Sequence, residues 1–554
     1  MRNSSNRNFA EHGADMIHPR HHSSNFEPLP ALEQPDRTID ANLELAARLH
    51  GCRDAVIFND AHIQYGQLWK MVEALAGYLQ KKIGLKKGER ALLYMQNSPQ
   101  YLISFYAILR AGGVVVPANP MNKAAELRFL TDATEARVVL SGAELIDNLA
   151  PMRRDGVLND VIAADYRDMA DPNCVYPLPP ARDDFPDAPG FQEALAAGLT
   201  PDPRETAPDD LAVIPFSSGT TGQPKGCMHT HGTAMATVLS NGGWLELPEQ
   251  CAHLATMPFF HVTGMQISMN VPVFHGHTIV ILGRWNAETA ADLIERHKIG
   301  CWISISTMLI DLLNDKRALT RDLSSLHTLS GGGAAMPKAV ARKLEQRIGR
   351  PYIEGYGLTE TIAGTHVNPL DAPKEQCLGV PVHGVDARLL EPECSEPVPV
   401  GEIGEIVVNG PQVFKGYWND PEATRAAFIE LDGKPFFRTG DLAYRDPQGY
   451  FFIVDRVKRM INVSGFKVWP TEVEGVLFDH PQIKEVCIVG VEDDRRGQHV
   501  KAHVVPVDGA DLTAKGVIDW CHEKMSAYKC PKEVVFTSAL PRSGTGKVLW
   551  RELS

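Results

Sequence analysis

The sequence predicts an α/β protein with a large N-terminal α/β domain of several subdomains and a small C-terminal α+β domain. Three observations carry this. From about Ala41 onward, short apolar runs alternate with stretches of helical periodicity, the pattern of stacked helix and sheet layers. The chain has 554 residues, more than one hydrophobic core usually supports. Near Asp455–Lys458 the pattern shifts to a compact β/α order, and about a hundred residues beyond it suffice for a small domain. The expected division is therefore 1–40, a disordered arm; 41–457, the N-terminal domain; and 458–554, the C-terminal domain.

The arm, which contains MRNSSNRNFAEHGADMIHPRHHSSNFEP, is polar and lacks the apolar core of a secretory signal. Tyr101–Arg110 (YLISFYAILR) reads as a helix stopped by Gly112 and Gly113, and Val114–Val116 as a buried strand closed by Pro117. The Pro-, Asp- and Ala-rich stretch from Asp171 to Asp210 reads as a surface excursion or subdomain link rather than core. Leu211–Phe216 (LAVIPF) is a short apolar strand. GYFFIVDR forms a hairpin-like strand before the boundary. Beyond it, MINVSGFKVW, TEVEGVLFDH and KEVCIVGVE read as extended chain, helix and strand. Val271–Leu282 is apolar but too short to span a bilayer and carries His275 and His277, so no integral membrane segment is expected.

Composition narrows the function. With 44% hydrophobic and 22% charged residues the chain reads as an ordinary globular protein, and its net charge of -13 disfavours a nucleic-acid binder. The 10 cysteines form no C-x-x-C pair, which suggests reduced thiols in the cytoplasm rather than a zinc site or a disulfide framework. The pairs His229/His231 and His275/His277 lack supporting ligand spacing and read as structural.

Ser217–Gly226 (SSGTTGQPKG) is the most informative segment. It follows directly on the LAVIPF strand and joins hydroxyls, glycines and Lys225. Glycines let backbone N–H groups approach an anion, hydroxyls add donors, and the lysine adds charge, so the segment suits a triphosphate cradle. The competing explanation is a flexible Ser/Gly linker, but linkers rarely follow a buried strand or end in Pro-Lys-Gly. It is not a Walker A loop: the nearest string, PRSGTGKV, has Pro541 and Val548 where that motif needs glycine and a hydroxyl.

PFSSGTTGQPKG is followed in order by MPFFHVTG, SGGGAAMPK, GYGLTET, FRTGDLAYRDPQGYFFIVDRVKRMINVSGFKVWPTEVE, YKCPKEV and LPRSGTGKVLWREL. From about Ala41 to Glu552 the chain resembles the adenylate-forming superfamily of acyl-CoA synthetases, luciferases and peptide-synthetase adenylation domains. The segments INVSGFKVWPTEVE and SGTGKVLWREL look closest to bacterial medium- and long-chain fatty acid:CoA ligases. The resemblance implies an acyl-adenylate made from ATP with Mg²⁺, followed by transfer to coenzyme A.

The same resemblance implies roles. Lys547, Thr359, Glu360 and His261 are the expected catalytic residues, with Glu360 holding the metal. Ser217, Ser218, Gly219, Thr220, Thr221, Gly222 and Lys225 cradle the phosphates. Gly332, Gly333 and Ala334 lie against adenine and the acyl group, Tyr356 and Gly357 face the base, and Asp441 and Arg456 take the ribose. Lys458 matches the hinge of a mobile C-terminal domain. Ser464, Gly465 and Phe466 line the pantetheine tunnel, and Lys467 meets a nucleotide phosphate. Val262, Ser306 and Thr307 fall on the acyl pocket. Considered alone, GYGLTE is a Gly-rich turn, Asp441 a turn residue and Lys547 an exposed lysine.

Relatives often have Pro-Thr where this chain has Ser306-Thr307, and valine where it has Cys227. Relatives restricted to acetate often carry Trp before the Thr-Glu pair, whereas this chain has GYGLTE, which suggests room for a longer acid. The partners expected are a carboxylic acid, ATP and CoA; a homodimer is compatible with the sequence. Rival readings are a ligase for aryl or short functionalised acids, an adenylation enzyme that loads a carrier protein, a luciferase-like oxygenase and a non-catalytic nucleotide binder. A hydrolase lacks its G-x-S-x-G or HExxH motif here.

Overall fold

The computed structural model describes residues 28–179, 188–217, 223–333, 336–392, 394–463, 466–493, 497–542 and 548–553. The chain divides into two compact units. One comprises the chain to Ala387 together with Val408–Phe437, the other Arg388–Val407 together with Arg438 onward. The strand Lys434–Arg445 carries the chain from the first unit into the second.

In the first unit, Arg90–Tyr94 lies between Val114–Pro117 and Val138–Gly142 in a mainly parallel sheet that continues to Asp160–Ala164 on one side and Leu211–Val213 on the other. Helix Pro99–Arg110 shows why the local reading succeeds. The Ser98 hydroxyl accepts from the Tyr101 N–H, Pro99 takes the first turn, and Gly112 leaves the helix at φ +85°. Every residue from Pro99 to Leu109 is buried, as an apolar helix surface demands.

The larger sheet of this unit has a parallel centre. Its strands run Thr278–Ile281, Ala252–Ala255, Cys301–Ser304, Thr328–Gly332 and Tyr352–Leu358, with Asp54–Phe58 parallel beyond Thr278–Ile281. Ala363–Val367 folds back antiparallel on Tyr352–Leu358. The motifs MPFFHVTG, SGGG and GYGLTE thus lie at the carboxyl ends of these strands, where open α/β sheets place ligands.

Of the expected arm, residues 1–27 lie outside the described residues; within residues 28–40, Leu32 packs against the core and Thr38, Ile39 and Asp40 are buried, so this part is not a free arm. Ile39 opens helix Ile39–His50 at 1% exposure, and Asp40 is fully buried against the Arg204 guanidinium, Nε to Oδ2 2.8 Å. Arg204 belongs to the stretch read as a surface excursion. That stretch also carries helix Phe191–Ala196, whose Phe191 enters the core; residues 180–187 lie outside the described part. Both segments are anchored by contacts with residues far away in the sequence: Leu32 and Phe191 meet the core, and the Leu29 carbonyl accepts from Gly384 N–H.

In the second unit, Ile483–Asp493 and Gly497–Pro506 form a long antiparallel pair, flanked by Ile461–Val463 and, in parallel, Glu533–Phe536. Helices Pro470–Phe478 and Ala514–Lys524 cover it through Val473, Leu477, Val517 and Cys521. No helix among the described residues is long and apolar enough to cross a membrane.

Burial pushes His229 and His275 down to about 4, and His277 and His366 down to about 3. Unfolded histidine takes its proton near 6.5, so below that pH the unfolded chain binds more protons and stability falls as pH falls. From pH 7.5 to 5 each contributes a loss of about 2 kcal/mol. Glu354, pushed up to about 7 by burial, acts with the opposite sign in this window and offsets roughly one of them. The urea midpoint is therefore expected to drop markedly between pH 7.5 and 5; a flat or rising profile contradicts this account.

Candidate active site

The GYGLTE segment ends strand Tyr352–Leu358 in a 3₁₀ turn, Thr359–Thr361. The turn is tightly held. Thr361 Oγ1 accepts from Leu358 N–H and donates to the Ala363 carbonyl. Ile362 closes it at φ +43°, a conformation that costs a β-branched residue about 1–3 kcal/mol and is fully buried here. The Thr359 carbonyl accepts both Ile362 N–H and His229 Nε2–H, the latter at 2.8 Å. Burial keeps His229 neutral, which leaves Nδ1 to accept from the Thr233 hydroxyl at 3.4 Å.

Glu360 is 9% exposed, and the Tyr417 hydroxyl donates to its Oε1 at 3.1 Å. Burial and Glu360 raise the Tyr417 pKa, so the hydroxyl stays a donor. The Lys225 ammonium lies 5.1 Å from the centre of the Tyr417 ring and 3.5 Å from Asp420 Oδ2. Local strand pairing produces this meeting. Met228 N–H donates to Gly416 O, Trp418 N–H to Gly226 O, and Cys227 pairs with Tyr417. The far end of the SSGTTGQPKG hairpin, where Ser217 pairs with Lys225, is thus stitched to the segment that positions Glu360. Cys227 is fully buried, and burial together with Glu360 pushes its thiol up, so it packs as a small apolar side chain.

Gly332 pairs with Gly355 across parallel strands, and a Cβ there would meet the Gly355 carbonyl at 2.3 Å. At Gly357 it would meet the Ala363 carbonyl at 1.8 Å. Close strand approach alone therefore requires both glycines. The Tyr356 ring is half-buried and meets His366 edge-on, centroids 5.6 Å apart. His261 is half-buried after strand Ala252–Ala255, its Nδ1 accepting from Thr263 N–H at 3.3 Å. Beside it Val262 is 2% exposed in the core. Ser306 and Thr307 open helix Ser306–Asn314, half-buried and exposed respectively.

In the second unit, Asp441 is 1% exposed and stands opposite Arg456 in the ladder, with Arg456 Nε 2.7 Å from its Oδ1. The next residues are anchored too: Asp455 Oδ2 accepts from Thr471 N–H at 2.8 Å, and Arg459 pairs with Glu474. Phe466 is exposed and stacks on Tyr528, centroids 4.9 Å apart. Ser218, Gly219, Thr220, Thr221, Gly222, Ala334, Ser464, Gly465 and Lys547 lie outside the described residues, as do the side chains of Lys458 and Lys467.

The structure thus joins Lys225, Thr359 and Glu360 within the first unit, and Asp441 with Arg456 within the second. His229, read from the sequence as structural, does the joining together with Tyr417 and Asp420, which the sequence did not single out. A cation, a carboxylate and hydroxyls gathered at the end of a parallel sheet can bind a polyphosphate with its metal. The buried carboxylate of Glu360 and its fixed Tyr417 donor fit a divalent ion that takes its other ligands from phosphates and water.

Comparisons with known proteins agree with this chemistry. The family model described as AMP-binding enzyme matches residues 43–418, and that of the AMP-binding enzyme C-terminal domain matches residues 472–547. The chain is 32% identical to a long-chain-fatty-acid–CoA ligase of Bacillus subtilis, across 94% of this chain and 95% of that one. It is 33% identical to a feruloyl-CoA synthase of an Amycolatopsis species, across 92% and 96%. Its fold matches ATP-bound MatB from Rhodopseudomonas palustris with a TM-score of 0.81 at 28% identity, covering 92% of this chain and 98% of that one. With both family domains in order and Tyr417 linking Lys225 to the buried Glu360, the chain belongs to the AMP-binding enzyme family and is an adenylate-forming enzyme of the acyl-CoA synthetase type.

Proposed function

We propose that this enzyme joins a medium- or long-chain fatty acid to coenzyme A, through an acyl-adenylate and release of pyrophosphate. The observation that carries the reading is the Lys225–Tyr417–Glu360 cluster, which sets a lysine ammonium over the face of one tyrosine ring and a carboxylate at its hydroxyl. Glu360 would hold Mg²⁺, which would supply positive charge to the phosphates. Thr359 and Lys547 meet the α-phosphate, and His261 stands by the incoming carboxylate. Ser217, Ser218, Gly219, Thr220, Thr221 and Gly222 complete the cradle. Tyr356 with Gly332, Gly333 and Ala334 takes the adenine, and Asp441 with Arg456 the ribose. Residues 458–554 turn about Lys458 between the two half-reactions, bringing Ser464, Gly465 and Phe466 to the pantetheine arm and Lys467 to a phosphate.

The long-chain choice rests on the similarity to the Bacillus subtilis ligase and on GYGLTE, with Val262, Ser306 and Thr307 proposed beside the tail. An apolar pocket contributes about 0.8 kcal/mol per buried methylene, or about fourfold in kcat/KM per added carbon. A panel of acids assayed for CoA-dependent AMP release tests this. A steady rise from C6 to C14 is expected. A preference for cinnamic-type acids favours the second reading, an aryl acid ligase, which the 33% identity to the feruloyl-CoA synthase supports. Acyl transfer to a phosphopantetheinylated protein but not to CoA would overturn the CoA assignment.

His229 acts here as a positioning residue, since its N–H fixes the carbonyl of Thr359 next to Glu360. His229→Leu is expected to lower kcat for ATP–pyrophosphate exchange about tenfold, the value of one hydrogen bond, with KM for the acid unchanged. His229→Gln, which keeps an N–H donor, recovers most of it. Equal losses in the two variants would mean that His229 only fills space.

A further inference from the structure

Away from the nucleotide site, at the amino ends of two central parallel strands, the register gathers an unexpected set of side chains. Ala252 pairs with Thr278 and His253 with Ile279, so Cys251 stands beside His277 on the neighbouring strand. Side chains alternate along a strand, so Cys251, His253 and His277 share one face. His253 Nε2 and His277 Nδ1 face each other at 3.0 Å, and with Cys251 Sγ all three atoms lie within 4.8 Å of one another. All three residues are buried, at 8%, 2% and 3% exposure. The backbone around them is fixed: Tyr65 Oη donates to the His277 carbonyl at 2.6 Å, and Thr278 N–H to the Cys251 carbonyl at 3.1 Å.

We propose that Cys251, His253 and His277 form a binding site for a divalent transition ion of the zinc class. A thiolate with two neutral imidazoles is the donor set such an ion prefers. Two nitrogens on a tetrahedral zinc stand about 3.3 Å apart, given Zn–N bonds near 2.0 Å, so the two rings need to separate by only a few tenths of an ångström. In the 3.0 Å hydrogen bond one of the two facing nitrogens carries the proton; on binding that proton moves to the other nitrogen of its own ring, which frees both facing lone pairs for the ion. Binding replaces the thiol proton of Cys251, which leaves to solvent, and the fourth position takes a water. The site lies at the amino ends of the strands, whereas His261 and Thr359 follow their carboxyl ends, so the ion clamps the strands Ala252–Ala255 and Thr278–Ile281 and takes no part in adenylation.

The test is a Co²⁺ titration of the tag-free, chelator-stripped full-length protein, followed by Zn²⁺ competition. The expected result is saturation at one equivalent, with near-ultraviolet thiolate-to-cobalt charge transfer and tetrahedral visible bands. Cys251→Ser should lose the charge-transfer band. His253→Gln, which keeps a hydrogen-bonding partner for His277, should weaken Zn²⁺ at least about tenfold. Zn²⁺ should raise the melting temperature of the parent protein and of neither variant. Absence of the band, or a band that survives in Cys251→Ser, overturns the site, as does equal thermal stabilisation of all three proteins.

Discussion

Lys547→Ala is expected to slow ATP–pyrophosphate exchange by about 10²–10³-fold, the usual cost of removing one group that stabilises developing charge. The first half-reaction brings a carboxylate onto the α-phosphate of ATP. Two unit negative charges about 4 Å apart repel by about 4 kcal/mol at an effective dielectric of 20. An ammonium shared between them converts that repulsion into attraction at the geometry where the bond forms, and little of its benefit exists beforehand. The second half-reaction differs in kind. A sulfur nucleophile attacks a mixed anhydride whose leaving group is AMP, and no carboxylate approaches a phosphate. The variant should therefore still convert supplied acyl-adenylate and CoA to thioester at close to the parent rate. Unimpaired exchange would remove Lys547 from the mechanism, and parallel loss of both half-reactions would point to a damaged fold instead.

What could be read from the sequence follows from the range of the interactions involved. Helix Pro99–Arg110 and strand Val114–Pro117 are encoded locally, by Ser98, Pro99, an apolar run and Gly112, and the sequence located them within two residues. The family motifs likewise mark the candidate site, because phosphate binding needs short, recognisable strings of hydroxyl, glycine and lysine. The contacts that assemble the site are not local. Tyr417 reaches Glu360 across 57 positions, and His229 reaches Thr359 across 130. Nothing in FKGYWND or MHTH announces these pairings, since register between distant strands depends on the whole sheet. Gly332 shows the reverse case: the motif suggested room for adenine, yet contact with the Gly355 carbonyl is enough to exclude a side chain. Residues 28–40 do not read as packed because the contacts that fasten them, such as the buried Asp40–Arg204 pair and Leu29 with Gly384, are distant in sequence.

Glu360 and Tyr417 allow a graded test of the metal assignment. Glu360→Gln keeps the size and a hydrogen-bonding oxygen for Tyr417 but removes the charge, so exchange should fall about 10²-fold or more and require higher Mg²⁺. Tyr417→Phe removes only the donor at 3.1 Å. A hydrogen bond to a charged group is worth about 1.5–3 kcal/mol, which corresponds to roughly 10–100-fold. The ring survives in Phe, so the Lys225 ammonium keeps its aromatic neighbour and its contact with Asp420. The loss should thus appear in Mg²⁺ dependence rather than in affinity for the acid. If Tyr417 works by orienting the carboxylate, it has nothing left to orient once the charge is gone. The double variant should then be no slower than Glu360→Gln alone, because residues that act through one contact are not additive. Full additivity would separate the two residues and leave Tyr417 as packing for the phosphate loop. Unchanged Mg²⁺ dependence in Glu360→Gln would move the metal elsewhere altogether.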